Sequence, residues 1–189
     1  MVSGRELQKK YSFIIFLCRR SVKLFPVFLV GGLISITSSI GGRFFAFLRY
    51  VLYSRLFSEL GGHVYFGERI VIRNPSGVNL GNGVSIHPFC YLDGYGGLCI
   101  GDNVSIAHGC SILTFEHQWD QLGVPIKYNP VNARSVKIEN DVWIGCGVRV
   151  LSGSYIESRV VVAAGSVVKG RLESGWIYGG VPAKKLKKL

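Results

Sequence analysis

The chain has 189 residues, 48% of them hydrophobic, and its 22 Lys and Arg stand against 11 Asp and Glu for a net charge of +11. That length suits one domain with one continuous core, and five Cys with no C-x-x-C spacing exclude a disulfide framework and point to a reducing, cytosolic setting. Nucleic-acid binding is set aside too, because no nucleic-acid motif is present and the basic residues are not interleaved with aromatics along the repeats.

Residues 1–60 carry nine of the basic residues (Arg5, Lys9, Lys10, Arg19, Arg20, Lys23, Arg43, Arg49 and Arg55) against Glu6 and Glu59. Within them, residues 24–42 run nineteen positions without a charge, on the border of what spans a bilayer. Pro26, Gly31 and Gly32 weaken a straight helix there. Residues 43–57, RFFAFLRYVLYSRLF, set basic residues among aromatics and aliphatics, a composition that suits an interfacial helix beside anionic lipid. Three readings follow for this segment: attachment to a membrane surface, packing within the protein or on a second subunit, and a true span. Surface attachment is the expectation, with residues 1–60 removable without loss of the rest.

A six-residue rhythm then sets in. It runs Leu80, Ile86, Leu92; then Ile100, Ile106, Ile112; then Ile138, Ile144, Val150, Ile156, Val162, Val168. The residues two places earlier in the last run are Val142, Val148, Ser154, Val160 and Ser166. A hexad is too short for a helix, and inward positions spaced by two fit a short strand. The residues after each aliphatic stop are turn formers such as Gly81, Gly101 and Gly145. Strand plus turn makes one side of a prism, and three sides close a coil of eighteen residues, so the fold expected is an all-β solenoid. Ile138 should then stack on Ile156, Ile144 on Val162 and Val150 on Val168. With two residues inserted at Gly94–Gly97, Leu92 should lie beneath Ile112. A β-sandwich does not keep one register across six consecutive repeats. Cys90 and Cys110 occupy small inward positions and read as buried thiols.

Residues 115–135 break the rhythm and must leave the prism as an arm. Long loops in compact domains are usually functional, and this one carries His117, Trp119, Tyr128, Glu116 and Asp120. An imidazole titrates near neutrality and can take the proton of a poorly nucleophilic hydroxyl as it attacks. His117 is therefore the candidate general base. Phasing puts Asp93–Gly97 under Leu113–His117, where Gly94, Gly96 and Gly97 would leave room beside the imidazole. Asp93, Glu116 and Asp120 are the acids able to orient it, Asp93 first. Trp143 precedes the inward Ile144, so it points outward, to line a ligand channel or to pack against another subunit. His63 and His108 read as turn residues.

The hexads, the arm and the closing run VWIGCGVRVLSGSYIESRVVVAAGSVVKG…WIYGGVPAKKLKKL resemble the hexapeptide-repeat acyltransferases, over about residues 62–189. That family includes maltose and galactoside O-acetyltransferases and many capsule and exopolysaccharide acetyltransferases. The resemblance implies a left-handed parallel β-helix at 61–189, with arm 115–135 and a C-terminal tail at 175–189 ending in a short helix; it leaves residues 1–60, expected from their composition to form N-terminal helices, uncovered. It implies a homotrimer with active sites between subunits, acetyl-CoA as co-substrate without a metal, and His117 as base on an acceptor hydroxyl. Trp143, Cys146, Ala164, Lys169 and Lys187 are the positions it suggests for coenzyme A. Trp119 and His87 are the candidates for the acceptor; galactoside-type enzymes place an active-site Asn where His87 stands, so His87 is expected either to contact the acceptor or to replace that Asn. The expected acceptor is a sugar of a surface polysaccharide or its lipid-linked precursor, met at the cytoplasmic face of a bacterial inner membrane. A small soluble acceptor and a non-catalytic scaffold are the alternatives. A γ-type carbonic anhydrase is set aside, because the chain has no pair of His five residues apart.

Overall fold

A computed structural model describes residues 11–189; Arg5, Glu6, Lys9 and Lys10 lie outside them. Helices α1 (Ser12–Val22), α2 (Val27–Thr37) and α3 (Arg43–Tyr53) come first. The prism follows coil by coil. Coil one is β1 (Glu59–Leu60), β2 (Tyr65–Phe66) and β3 (Val71–Arg73). Coil two is β4 (Val78–Leu80), β5 (Ser85–Ile86) and β6 (Tyr91–Asp93), and coil three is β7 (Leu98–Ile100), β8 (Ser105–Ile106) and β9 (Ser111–Ile112). The arm contributes the antiparallel pair β10 (Phe115–His117) and β11 (Val131–Ala133). Coil four is β12 (Val136–Ile138), β13 (Trp143–Ile144) and β14 (Arg149–Val150), and coil five is β15 (Tyr155–Ile156), β16 (Val161–Val162) and β17 (Val167–Val168). Then come β18 (Arg171–Leu172), β19 (Trp176–Gly179) and β20 (Lys184–Lys188). Equivalent sides pair in parallel into three sheets, which close the left-handed β-helix.

The expected register holds at each named pair. Ile138 faces Ile156, Ile144 faces Val162, Val150 faces Val168, and Leu92 faces Ile112 across the inserted residues. The core is a stack of these stops: Phe66, Ile86, Ile106, Ile144 and Val162 form one file, all fully buried. Burying each such side chain contributes about 1.5–3 kcal/mol. The corners explain the turn residues. At one corner the amide of Gly62 donates to Asn82 Oδ1, that of Asn82 to Asp102 Oδ1, and that of Asp102 to Asn140 Oδ1. Each side chain thus satisfies the amide one coil below. Gly145 is glycine because a Cβ there would sit 2.6 Å from the Ala164 nitrogen.

Cys90 and Cys110 are stacked and buried, and Cys110 Sγ donates to the Gly145 carbonyl at 3.1 Å. The Cys110 thiol is pushed far up, first by its hydrogen bond with Cys90 and then by burial. Cys99 is exposed. A thiol reagent on the native protein should label Cys99 at once and spare Cys90 and Cys110 until the chain unfolds, as peptide mass mapping would read. Rapid native labelling of Cys110 would contradict this packing.

Three expectations change. The tail ends in a strand, not a short helix: β20 runs antiparallel to β19 and closes an otherwise open sheet edge. Leu186 covers Gly179, while Lys185 pairs with Glu173 at 2.7 Å and lies over the Trp176 ring. The uncharged stretch is interrupted, since α2 holds eleven residues, about 16 Å at 1.5 Å each, against a hydrocarbon core of about 30 Å. No helix among the described residues is long and apolar enough to cross a membrane. The third change concerns α3. It is the plug of the prism and not a lipid-facing helix: Tyr50, Leu52 and Tyr53 are buried, and Tyr53 and Phe57 stack on Phe66 of the first coil. Arg49, read from composition as a lipid contact, is 1% exposed. Its guanidinium donates to the carbonyls of Phe66, Thr37 and Ile40 at 2.8–3.0 Å and lies 3.7 Å from Glu68. Removing residues 1–60 would also remove β1 and uncover this end of the core.

Candidate active site

The arm is rooted by Thr114, which is fully buried. Its hydroxyl donates to the Asp93 carbonyl at 3.0 Å and accepts from the Gly96 amide at 2.8 Å. Its own carbonyl accepts from the Arg134 amide, so both ends of the arm are tied at one residue. At the far end Asn129 is buried, accepting from the Gln121 amide and donating to the Val124 carbonyl. Between these ties β10 and β11 pair Phe115 with Ala133, Glu116 with Asn132 and His117 with Val131.

This hairpin presents His117, exposed, at a cleft of about 270 Å³ that it shares with Glu116, Trp119, Asp120, Asn132 and Arg134. Arg134 lies 3.6 Å from Glu116. With the Asn132 amide turned so that its oxygen faces the guanidinium, Arg134 donates to it at 2.8 and 3.1 Å. The cleft thus holds an imidazole, an indole and an anchored guanidinium. Such a set can take a proton, cover an apolar ring face and hold an oxygen. Thr114, Asn129, Asn132 and Arg134 escaped the sequence reading. The one available signal was the break in rhythm, which marks the arm but not which of its polar residues turn inward.

Asp93 is 3% exposed, and its carboxylate is already engaged. It accepts from Asn74 Nδ2 at 3.0 Å and from the Tyr95 amide at 2.7 Å. Among the described residues no carboxylate is hydrogen-bonded to His117. The glycines also have another reason to be there. A Cβ on Gly94 would collide with the Asn74 carbonyl and one on Gly96 with the Thr114 carbonyl, so they permit backbone crossings between coils and do not widen the space at the imidazole.

The remaining candidates fall on two regions of the prism. Trp143 points outward, 55% exposed, in a ladder that continues through Val161 and Ile177 to Lys187. Cys146 and Ala164 are stacked at the next corner, where the Gly165 amide donates to the Cys146 carbonyl. His87 is exposed near the same sheet, with its ring 5.7 Å from that of Tyr65. Lys169 instead follows Val168 at the corner where β17 ends, on the side of that face from which the arm leaves after β9, two strands away. Within one chain, then, His117 and Lys169 share one edge of a face, while Cys146 and Ala164 share the other. No group of three or more His, Cys, Asp or Glu among the described residues is placed to hold a metal ion.

Comparison with known proteins fits this architecture. Residues 135–170 match the family model described as bacterial transferase hexapeptide (six repeats). A candidate acetyltransferase of Mycobacterium tuberculosis is 34% identical over 130 residues, which are 68% of this chain; the chain spans only 43% of that protein's length. A candidate lipopolysaccharide biosynthesis O-acetyl transferase of Escherichia coli K12 is 30% identical over 146 residues, covering 67% of this chain and 72% of that protein. Among solved structures, a hexapeptide-repeat acetyltransferase of Vibrio cholerae complexed with acetyl coenzyme A superposes with a TM-score of 0.75 at 28% identity, covering 85% of each chain. With its coils in hexapeptide register and these matches along their length, the chain belongs to the hexapeptide-repeat acetyltransferase family.

Proposed function

We propose that the protein transfers the acetyl group of acetyl-CoA to a hydroxyl of a sugar, in the assembly of a surface polysaccharide, with His117 as general base. The carrying observation is the arm: it holds an exposed imidazole at a polar cleft beside a rigid prism. Relatives named for acetyl transfer, one of them for lipopolysaccharide biosynthesis, support the donor and the acceptor class. In the step, His117 accepts the hydroxyl proton as the oxygen attacks the thioester carbonyl. The carbon–sulfur bond then breaks, and the leaving thiolate of coenzyme A takes the proton back.

The division of candidates between two edges of one face favours a homotrimer. A neighbouring copy would bring the Cys146–Ala164 corner of one prism against the His117 arm of another. Trp143 and Lys187 would line the donor groove, and Lys169 would meet a phosphate of coenzyme A. Trp119, exposed on the arm, would stack on the sugar, and His87 would contact the acceptor. A membrane surface is the proposed place of work, because Phe13, Leu24 and Phe28 are exposed beside Arg20 and Lys23.

Titration calorimetry with acetyl-CoA tests the reading. Saturable binding is expected, together with release of a free thiol when a sugar acceptor is added. Absence of both would leave a solenoid scaffold. Turnover of a soluble amine or antibiotic in preference to any sugar would favour the small-acceptor alternative.

A further inference from the structure

A cavity larger than the cleft at the arm lies elsewhere in the molecule. A groove of about 1020 Å³ opens between α1, α3 and the first coil of the prism. That is at the upper end of small-molecule sites, roughly 300–1,000 Å³. Arg19, Arg20, Lys23 and Arg55 line it, together with His63, and among the described residues no Asp or Glu does. Arg19 is fixed in place, donating to Tyr50 Oη and to the Leu60 carbonyl at 2.9 Å each. Both acceptors are neutral, so its charge is positioned but not compensated. Arg20, Lys23 and Arg55 have no ion-pair partner among the described residues, and buried Nε of Arg55 and Nδ1 of His63 have no hydrogen-bond partner there. Four cations gathered with no acid among the described residues lining the groove repel one another, and the arrangement calls for an anion.

Apolar and aromatic side chains, Ile15, Phe16, Leu24, Tyr50, Phe57 and Leu60, make up most of the remaining lining, with Ser54, Ser58 and Gly62 among them. Leu24 of this lining is 86% exposed, and Phe13 and Phe28, three residues before Phe16 and four after Leu24, are 71% and 75% exposed. A free phosphate or a nucleotide would use the cations and leave this ridge uncovered. A bilayer surface alone would use the ridge with the exposed Arg20 and Lys23, without reaching the half-buried Arg19 and Arg55.

We propose that this groove binds an anionic amphiphile, a phosphorylated membrane lipid whose phosphate sits among Arg19, Arg20, Lys23 and Arg55 and whose apolar chain leaves over Phe16 and Leu24. Guanidinium and ammonium groups match phosphate oxygens with charge-assisted hydrogen bonds. The inference deepens the membrane-surface reading above: the protein engages an individual lipid phosphate as well as a charged interface. It holds whether or not His117 is the base.

Titration calorimetry on the full chain, with coenzyme A present at saturation so that any donor site is filled, tests it. The probes are farnesyl diphosphate, kept below its micelle concentration, and inorganic pyrophosphate. Farnesyl diphosphate should bind at least about tenfold more tightly than pyrophosphate, because only it uses the apolar lining. The double variant Arg20→Gln/Lys23→Gln, which leaves the fixed Arg19 untouched, should weaken it about tenfold. The charge-matched variant Arg73→Gln/Lys127→Gln, away from the groove, should change it less than about twofold. Equal affinity for both probes would make this a free-anion site, equal loss in both variants would make it diffuse charge attraction, and no heat from either probe would leave the groove without this ligand. Each of these three results overturns the proposal. Heat that appears only when coenzyme A is left out belongs to the donor site, so this inference and the acetyl-transfer reading fail separately.

Discussion

Replacing His117 with alanine is expected to lower acetyl transfer by about 10²–10⁴-fold, the usual cost of losing a general base. The side chain is exposed on β10 and carries none of the bonds that root the arm. Fold, assembly and affinity for acetyl-CoA should therefore stay close to those of the parent, so the loss falls on turnover. Steady-state rates and calorimetry on the same preparation separate these quantities. His87→Ala serves as the comparison, since His87 is the other exposed imidazole proposed to meet the acceptor. If the His117 variant kept more than about a tenth of the parent rate, the base would have to be sought elsewhere, with His87 first. The result also bears on the missing carboxylate partner: Asp93 is engaged by Asn74 and Tyr95, so Asp93→Asn should act through the shape of its loop and not through the imidazole.

The second large effect is on stability. Arg49→Ala should destabilise the protein by about 3 kcal/mol, the scale for breaking a buried, hydrogen-bonded charge. Three carbonyl oxygens, of Phe66, Thr37 and Ile40, would lose their donor inside the structure, and Glu68 would lose its nearest described cation. For a chain of this size that corresponds to a fall of roughly 10 °C in the thermal unfolding midpoint. Arg43→Ala, on an exposed position of the same helix, should move it by no more than about 2 °C. Comparable shifts for the two variants would mean that α3 does not plug the prism through Arg49. Because this guanidinium joins the end of α2 to the first coil, partial unfolding should begin at that end, and hydrogen exchange would locate it.

The amino-acid sequence by itself determined the prism. A strand of two or three residues and a turn recur every six positions, so the inward and outward assignments follow from local geometry. Ile138, Ile156 and Leu172 end on one file because each coil brings the chain back over itself, and insertions such as Gly94–Gly97 only displace the count. The arm was legible for the same reason, as the long interruption of the period between Ile112 and Ile138, and with it His117. Only the tertiary structure decided the rest, because those outcomes depend on partners far away in the chain. Arg49 reads as an interfacial cation until the carbonyls of Thr37, Ile40 and Phe66 are seen around it. Asp93 reads as a partner for His117 until Asn74, nineteen residues earlier, takes its carboxylate. The terminal Lys184–Lys188 has no pattern that separates strand from helix, and the open edge of β19 settles it as a strand. Arg19, Arg20, Lys23 and Arg55 come together only when α1 and the turn that follows α3 meet over the first coil. Periodic packing is written locally, whereas the satisfaction of buried charges and polar groups is a property of the assembled molecule.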